Sequence, residues 1–392
     1  MSEAAWAVLA SAPSAALFPP EKLAILEQVV DEVFSLNHLK AAALCRDMIA
    51  RWPDDPAGYA FLARTYWSEE LSTRQLFTID RFAASGFFSE TSRYKVDVPA
   101  ELERRFRQAS DEATVKGKAR LRANPSDQAA RYSLVVAYQN LATFEAALKT
   151  NWWQAIRFGD QALRFDRDLI SANPSCADAR VTTGIYQYAV GSVPWKLRWL
   201  TFLLGYRGDK ETGKRELRIA AEKGLLAPAD ARLGLVLFHT LDREYDAARA
   251  QLGELLRRYP RNYLMHLDMA ALATRMSRPR EALDLYLQIL RMVDEKVNGY
   301  ERLERAVVLN QLGAAARGAG DLDASVRWLR QALEEPSAAA RTKTIAHLEL
   351  GKTLDLLGRR QEALEQYRAV EIAEDFAGSR AEAGRRLRGR AR

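Results

Sequence analysis

ADARLGLVLFHTLDREYDAARAQLGELLRRYPRN, residues Ala229 to Asn262, reads as two helices joined by a short turn and closed by a proline. Its second half places a small residue, Ala248, twelve positions before Pro260. The same pairing recurs at Ala41 and Pro53, Ala113 and Pro125, and Ala162 and Pro174. A new helix pair begins at Tyr263, with Ala282, Tyr286 and Ile289 on its second helix. The register between residues 229 and 263 is 34, so internal repetition sets the architecture: an all-α stack of antiparallel helix pairs, each packed on its neighbours.

Read against other repeats, these residues resemble the tetratricopeptide repeat (TPR). That family carries a large residue at position 4, Leu-Gly at 7 and 8, Ala at 20, an aromatic at 24, Ala at 27 and Pro at 32. A unit starting at Thr344 offers Leu350, Gly351, Ala363 and Tyr367, and one starting at Ala306 offers Leu312, Gly313, Leu329 and Ala332. The second has Ser325 where Ala is expected and Pro336 one place early. A unit near Pro56 supplies Tyr59, Leu62, Ala63 and Tyr66, and Gly184 stands in the Gly position after Asn173-Pro174. The steric reason is common to all: small side chains at 8 and 20 let antiparallel helices approach, and proline ends the second helix. The resemblance implies a right-handed α-solenoid of roughly eight or nine helix pairs.

Starts at 229, 263, 306 and 344 give spacings of 34, 43 and 38, so the array is irregular. The expected organisation is a flexible arm over residues 1–20, irregular TPR-like repeats over 21–228 with an insertion near 67–98, regular repeats over 229–378, and a basic tail over 379–392. A second resemblance covers residues 177–262. It is to the central part of a eukaryotic TPR family linked to the mitochondrial outer membrane and to inclusion-body clearance, carried by Pro194, Gly205, Gly208, Asp209 and Gly213.

The 392 residues are 48% hydrophobic and 28% charged, a folded and helix-favouring composition with a net charge of +7. Residues 380–392 hold six Arg and one Glu, which is +5 and leaves +2 for the rest. Cys45 and Cys176 are far apart and in no metal-ligand spacing, which fits a reducing compartment and a cytoplasmic protein. The N-terminus has Glu3 and no basic residue before its apolar stretch, unlike a secretory signal. The most apolar window, Val193 to Tyr206, carries Lys196 and Arg198 and is too short to span a bilayer.

Chemistry is sparse. Gly208-Asp-Lys-Glu-Thr-Gly213-Lys214-Arg215 matches a phosphate-binding loop except that Arg215 replaces the hydroxyl residue that would hold magnesium. Its plainer reading is a turn in which Asp209 caps the next helix and Gly213 permits close packing. His38, His239, His266 and His347 form no metal-binding pair, and no nucleophile, base and oxyanion set is found. No catalytic residue, metal or cofactor is expected, and the chain reads as a protein-protein interaction scaffold rather than an enzyme.

In the family, first-helix positions 2, 5, 9, 12 and 13 line a concave groove. Here they include Leu233, Leu237, Thr240, Leu264, Leu267, Ala271 and Arg275, then Asn310, Ala314, Arg317, Leu348, Lys352 and Asp355. The clamp for acidic C-terminal tails needs Lys and Asn where Leu233, Leu237 and Asp268 stand, so that ligand is not expected. The expected partner is a protein or peptide segment with apolar anchors. Two alternatives stay open: a scaffold at a membrane or lipid surface, through residues 193–206 and the Arg-rich tail, and a nucleotide-binding protein through Gly208–Lys214. Nucleic acid is not expected, since only the tail is strongly basic. The sequence does not set the oligomeric state.

Overall fold

A computed structural model of the chain describes residues 17–73, 98–193, 207–376 and 378–389, and every regular element among them is an α-helix. Five pairs come first: α1 (Pro20–Phe34) with α2 (His38–Arg51), α3 (Pro56–Thr73) with α4 (Ala100–Ala123), α5 (Gln128–Ala147) with α6 (Trp152–Ala172), α7 (Arg180–Gly191) with α8 (Lys210–Lys223), and α9 (Pro228–Leu241) with α10 (Tyr245–Arg258). Three more follow: α11 (Tyr263–Arg275) with α12 (Pro279–Asp294), α13 (Arg305–Gly318) with α14 (Leu322–Glu334), and α15 (Ala340–Leu356) with α16 (Arg360–Ile372). A last helix, α17 (Ser379–Arg388), packs on α16 and α15. The fold is the all-α, TPR-like stack of helix pairs that the repeat implies. Contacts divide the described residues into two compact units, the first ending at Pro260 and the second starting at Arg261. That division falls one repeat later than the change in sequence regularity at Ala229.

Local chemistry accounts for the helix ends. Side chains of Asp127, Asn151, Asp209, Asn262 and Asp321 accept hydrogen bonds from first-turn amides, and α1, α9 and α12 begin on proline. Five intra-pair turns share one design, a three-residue connection whose middle residue has positive φ: Leu36, Arg243, Ser277, Gly320 and Gly358. Two are glycine, which adopts this conformation without a Cβ penalty; the other three carry a local cost of about 1 kcal/mol each.

The small repeat residues sit where helices touch. Ala41, Ala248, Ala282 and Ala363 are fully buried, as are the aromatic partners Tyr286 and Tyr367. A Cβ at Gly313 would lie 2.4 Å from Leu329, and one at Gly351 would lie 2.5 Å from Tyr367, so both positions need glycine for α13–α14 and α15–α16 to close. Ser325 serves in place of Ala because its hydroxyl, fully buried, pairs with that of Thr353 at 3.0 Å. Tyr59, held through its hydroxyl to the Pro53 carbonyl at 3.2 Å, ties the end of α2 to α3.

Several expectations change. The unit placed at Thr344 begins at Ala340, because its first helix is 17 residues long, so first-helix starts in the second unit fall at 263, 305 and 340. Residues 67–73 belong to α3 rather than to an insertion, and residues 74–97 lie outside the described residues, as do 1–16 and 194–206. The end of the expected flexible arm is packed: Phe18 is 4% exposed and meets the Tyr132 ring edge-on at 6.1 Å. Residues 379–388 of the expected basic tail form a docked helix. Ser379, Ala383 and Gly384 of α17 are buried, and Leu387 packs on the cluster of Leu329, Leu350, Tyr367 and Val370. Arg360 donates to the carbonyls of Arg386 and Gly389, satisfying the end of α17.

Candidate partner-binding face

First-helix side chains at the groove positions behave differently in the two units. In the first unit they are paired with one another. Arg64, ninth from Pro56, reaches Asp230 at the start of α9 at 2.8 Å, although 166 residues separate them. Trp67 donates to the Asn140 side chain at 2.9 Å, Asn140 donates to the Ala60 carbonyl at 2.8 Å, and Gln139 donates to Thr182 at 2.6 Å, which links α3, α5 and α7. Around the same unit, Asp31 of α1 accepts from Arg258 and from the Tyr259 hydroxyl at 2.9 Å, and Phe34 stacks on Tyr259 at 5.2 Å. The first pair therefore touches the fifth. Arg64, Tyr132 and Asn140 are all buried, so these groove positions of α3 and α5 are filled by contacts within the unit.

Two buried acids hold this unit together. Asp178 takes three backbone amides, Leu225 at 2.9 Å, Leu226 at 2.9 Å and Ala227 at 2.8 Å, and so caps the approach to α9. Burial pushes its pKa up, against the pull of those amides. Asp166 on α6 accepts the Thr183 hydroxyl at 2.6 Å through one oxygen, while its other oxygen is buried with no hydrogen-bond partner. Burial lifts its pKa to about 8.

In the second unit the corresponding residues form a row at repeat spacing. Asn310 donates to the Thr342 carbonyl at 2.9 Å, and Arg317 binds both the carbonyl and the carboxylate of Glu349, each partner 32 residues further on. Lys352 then bridges Glu349 at 2.8 Å and Glu382 of α17 at 2.9 Å. Burial opposes ionisation of Glu349, but Arg317 and Lys352 outweigh it and hold its pKa below the usual carboxylate value. Arg317, Glu349 and Lys352 keep about a fifth of their side-chain surface, at 20%, 16% and 18%.

Of the expected groove residues, Thr240, Leu264, Leu267, Ala271, Asn310 and Leu348 are buried, and Thr240 turns its hydroxyl back onto the Val236 carbonyl. Leu233, Leu237, Arg275, Ala314, Arg317, Lys352 and Asp355 are half-buried, with Leu237 packed on the core of α7, α8 and α9. Most of the expected apolar anchors are thus interior, and of the expected residues in the second unit Arg275, Arg317, Lys352 and Asp355 stay partly accessible beside Ala314. Glu349, at the centre of the row, was not among the expected residues. Its signal was present: Asn310–Thr342, Arg317–Glu349 and Arg330–Glu362 all pair at a separation of 32.

The phosphate-loop look-alike resolves into packing. Asp209 caps α8, accepting from the Thr212 amide at 2.7 Å, and a Cβ at Gly213 would lie 2.7 Å from the Gly184 carbonyl oxygen, so Gly213 lets α7 and α8 meet. The Lys214 ammonium is 1% exposed and ringed by Glu211 at 2.7 Å, Asp242 at 3.2 Å and Glu244 at 2.9 Å. Burial works against its charge, yet the three carboxylates outweigh burial and raise its pKa. A phosphate would have to displace all three, which argues against the nucleotide reading. The same three acids could hold a cation by geometry, and Lys214 already supplies one. His239 meets Glu244 through Nδ1 in the same cluster. No helix of the described residues is long and apolar enough to cross a membrane.

Residues 261–334, spanning α11 to α14, match the family model of the tetratricopeptide repeat. Residues 261–334 carry tetratricopeptide repeats. No curated protein matches it. Among solved structures it is similar to the human IFIT1 dimer with m7Gppp-AAAA, with 13% identity, 94% of this chain and 85% of that chain covered, and a TM-score of 0.45. It is also similar to yeast Tom70, with 12% identity, 91% and 86% covered, and a TM-score of 0.37. Neither likeness bears on what this chain binds.

Proposed function

We propose that the chain is a non-catalytic protein-interaction scaffold whose partner segment docks on the first-helix face of the second unit, along α11, α13 and α15. Tetratricopeptide repeats are in general protein-interaction scaffolds, and that much follows from the matched repeats. The observation that carries the finer reading is the charged row Arg317, Glu349, Lys352 and Glu382, fixed at repeat spacing yet only partly covered. Such a row is preorganised by the helices that bear it, so a partner loses less entropy in meeting it than in ordering free side chains. Arg275, Arg317 and Lys352 are the cationic contacts, and a segment with spaced carboxylates competes with Glu349 for the two basic groups that flank it.

Chemical cross-linking of the full chain, purified with its partner from the native host, tests this reading. Cross-links to Lys352 and Lys343 on α15 are expected. Absence of cross-links at both lysines, or carboxylate cross-links from a carbodiimide confined to the second helices α12, α14 and α16, overturns it.

A further inference from the structure

α6 outlasts the helix that follows it. Its 21 residues and the 12 of α7 correspond to about 31 and 18 Å at about 1.5 Å per residue. Asp166 meets Thr183 at 2.6 Å and Arg167 lies over Tyr186 at 5.4 Å, so α7 runs back along the C-terminal half of α6. Continuing that register, α7 ends level with about residue 160, and the first two turns of α6 stand past it.

Those two turns carry the most exposed aromatic surface among the described residues. Trp153 is 71% exposed, Ile156 49% and Trp152 38%. Arg157 follows Trp153 by one turn and Arg164 follows by three, so indole and guanidinium groups share one stripe of the helix. Over residues 152–164 the exposed charged side chains are these two arginines, both positive, and Asp160 is half-buried.

We propose that this projecting end of α6 is a contact for an anionic lipid surface. Tryptophan prefers the boundary between headgroups and acyl chains, where its ring is apolar and its N–H can still find a partner. A tip of two indoles and one branched aliphatic, with arginines set back along the same stripe, matches the depth order of a membrane interface: apolar groups below, cations level with phosphates. The patch is a few side chains wide, bordered by the ion pairs Arg107–Glu145 and Lys149–Glu103, whereas a protein hot spot sits at the centre of a broad desolvated surface. The contact is separate from the charged row of the second unit, so either can fail alone.

Flotation of the full chain with phosphatidylcholine vesicles, with and without phosphatidylserine, is the test. The wild-type chain is expected to float only with the anionic vesicles, and less at high salt. The double variant Trp153→Glu/Ile156→Glu is expected to lose binding by roughly tenfold or more while its melting temperature is unchanged, because both side chains are exposed. Arg157→Ala/Arg164→Ala is expected to reduce binding by roughly tenfold and flatten the salt dependence. A wild-type chain that stays unbound, or Glu variants that float as well as wild type, overturns the proposal. So does loss of a protein or RNA ligand in the Glu variants when wild type ignores vesicles, since the patch then serves that ligand.

Discussion

Arg64 and Arg317 stand at groove positions of first helices, and each is paired with a carboxylate. The partner of Arg64 is Asp230, 166 residues away, and the partner of Arg317 is Glu349, 32 residues away. One pair crosses the first unit and closes its inner face. The other joins neighbouring repeats and leaves a row of charged side chains partly exposed. The same residue type in the same kind of slot thus does opposite things. In the first unit, first helices several repeats apart touch, α3 meeting α9 through Arg64 and Asp230.

The largest expected difference between the units is in their pH response. Asp166 has a folded pKa of about 8, raised from an ordinary carboxylate value of about 4. Between those values the unfolded chain binds fewer protons, so first-unit stability falls as pH rises, by on the order of 4 kcal/mol from pH 5 to pH 8. Glu349 is shifted the other way, so its contribution in the second unit is lost only as pH falls below about 4. Thermal melts across pH, with Asp166→Asn expected to flatten the alkaline loss, separate the two. A slope that Asp166→Asn leaves unchanged places the titration elsewhere.

Asp178→Ala would orphan three buried amides at the approach to α9 and is expected to cost about 3 kcal/mol in denaturant unfolding. Arg64→Ala is expected to cost about 2 kcal/mol, less than a fully buried pair because the Asp230 side chain keeps 30% of its surface. It should also admit solvent to Tyr132, which quenching of tyrosine emission in that variant would report. Lys352→Ala is the mildest, below about 1 kcal/mol in stability, but it is the one expected to weaken partner capture. A variant that binds the partner unchanged would break the assignment of the charged row.

The repeat was legible because close helix approach demands small residues at fixed spacing, and Ala248, Ala282, Gly313 and Gly351 show it without any long-range information. The closing of the first unit was not legible. Phe18 read as part of an arm, and Arg64 and Asp230 drew no notice, because nothing periodic marks a contact between residues so distant in sequence. The docked α17 was masked by its six-Arg neighbourhood, although Ser379, Ala383, Gly384 and Leu387 repeat at helical spacing and could have disclosed its buried stripe. Leu264 and Leu267 carry the lesson in reverse: groove position alone did not predict that they would be interior.

Hydroxyl-radical footprinting of the free chain tests most directly whether the first unit's inner face is filled by its own side chains. Phe18, Phe34 and Tyr132 should oxidise slowly, while Trp153, Leu356 and Ile372, at 71%, 61% and 87% exposure, oxidise fast. Oxidation of Tyr132 and Phe18 at the rate of Trp153 would mean that the face is open, and the contrast between the units would not hold.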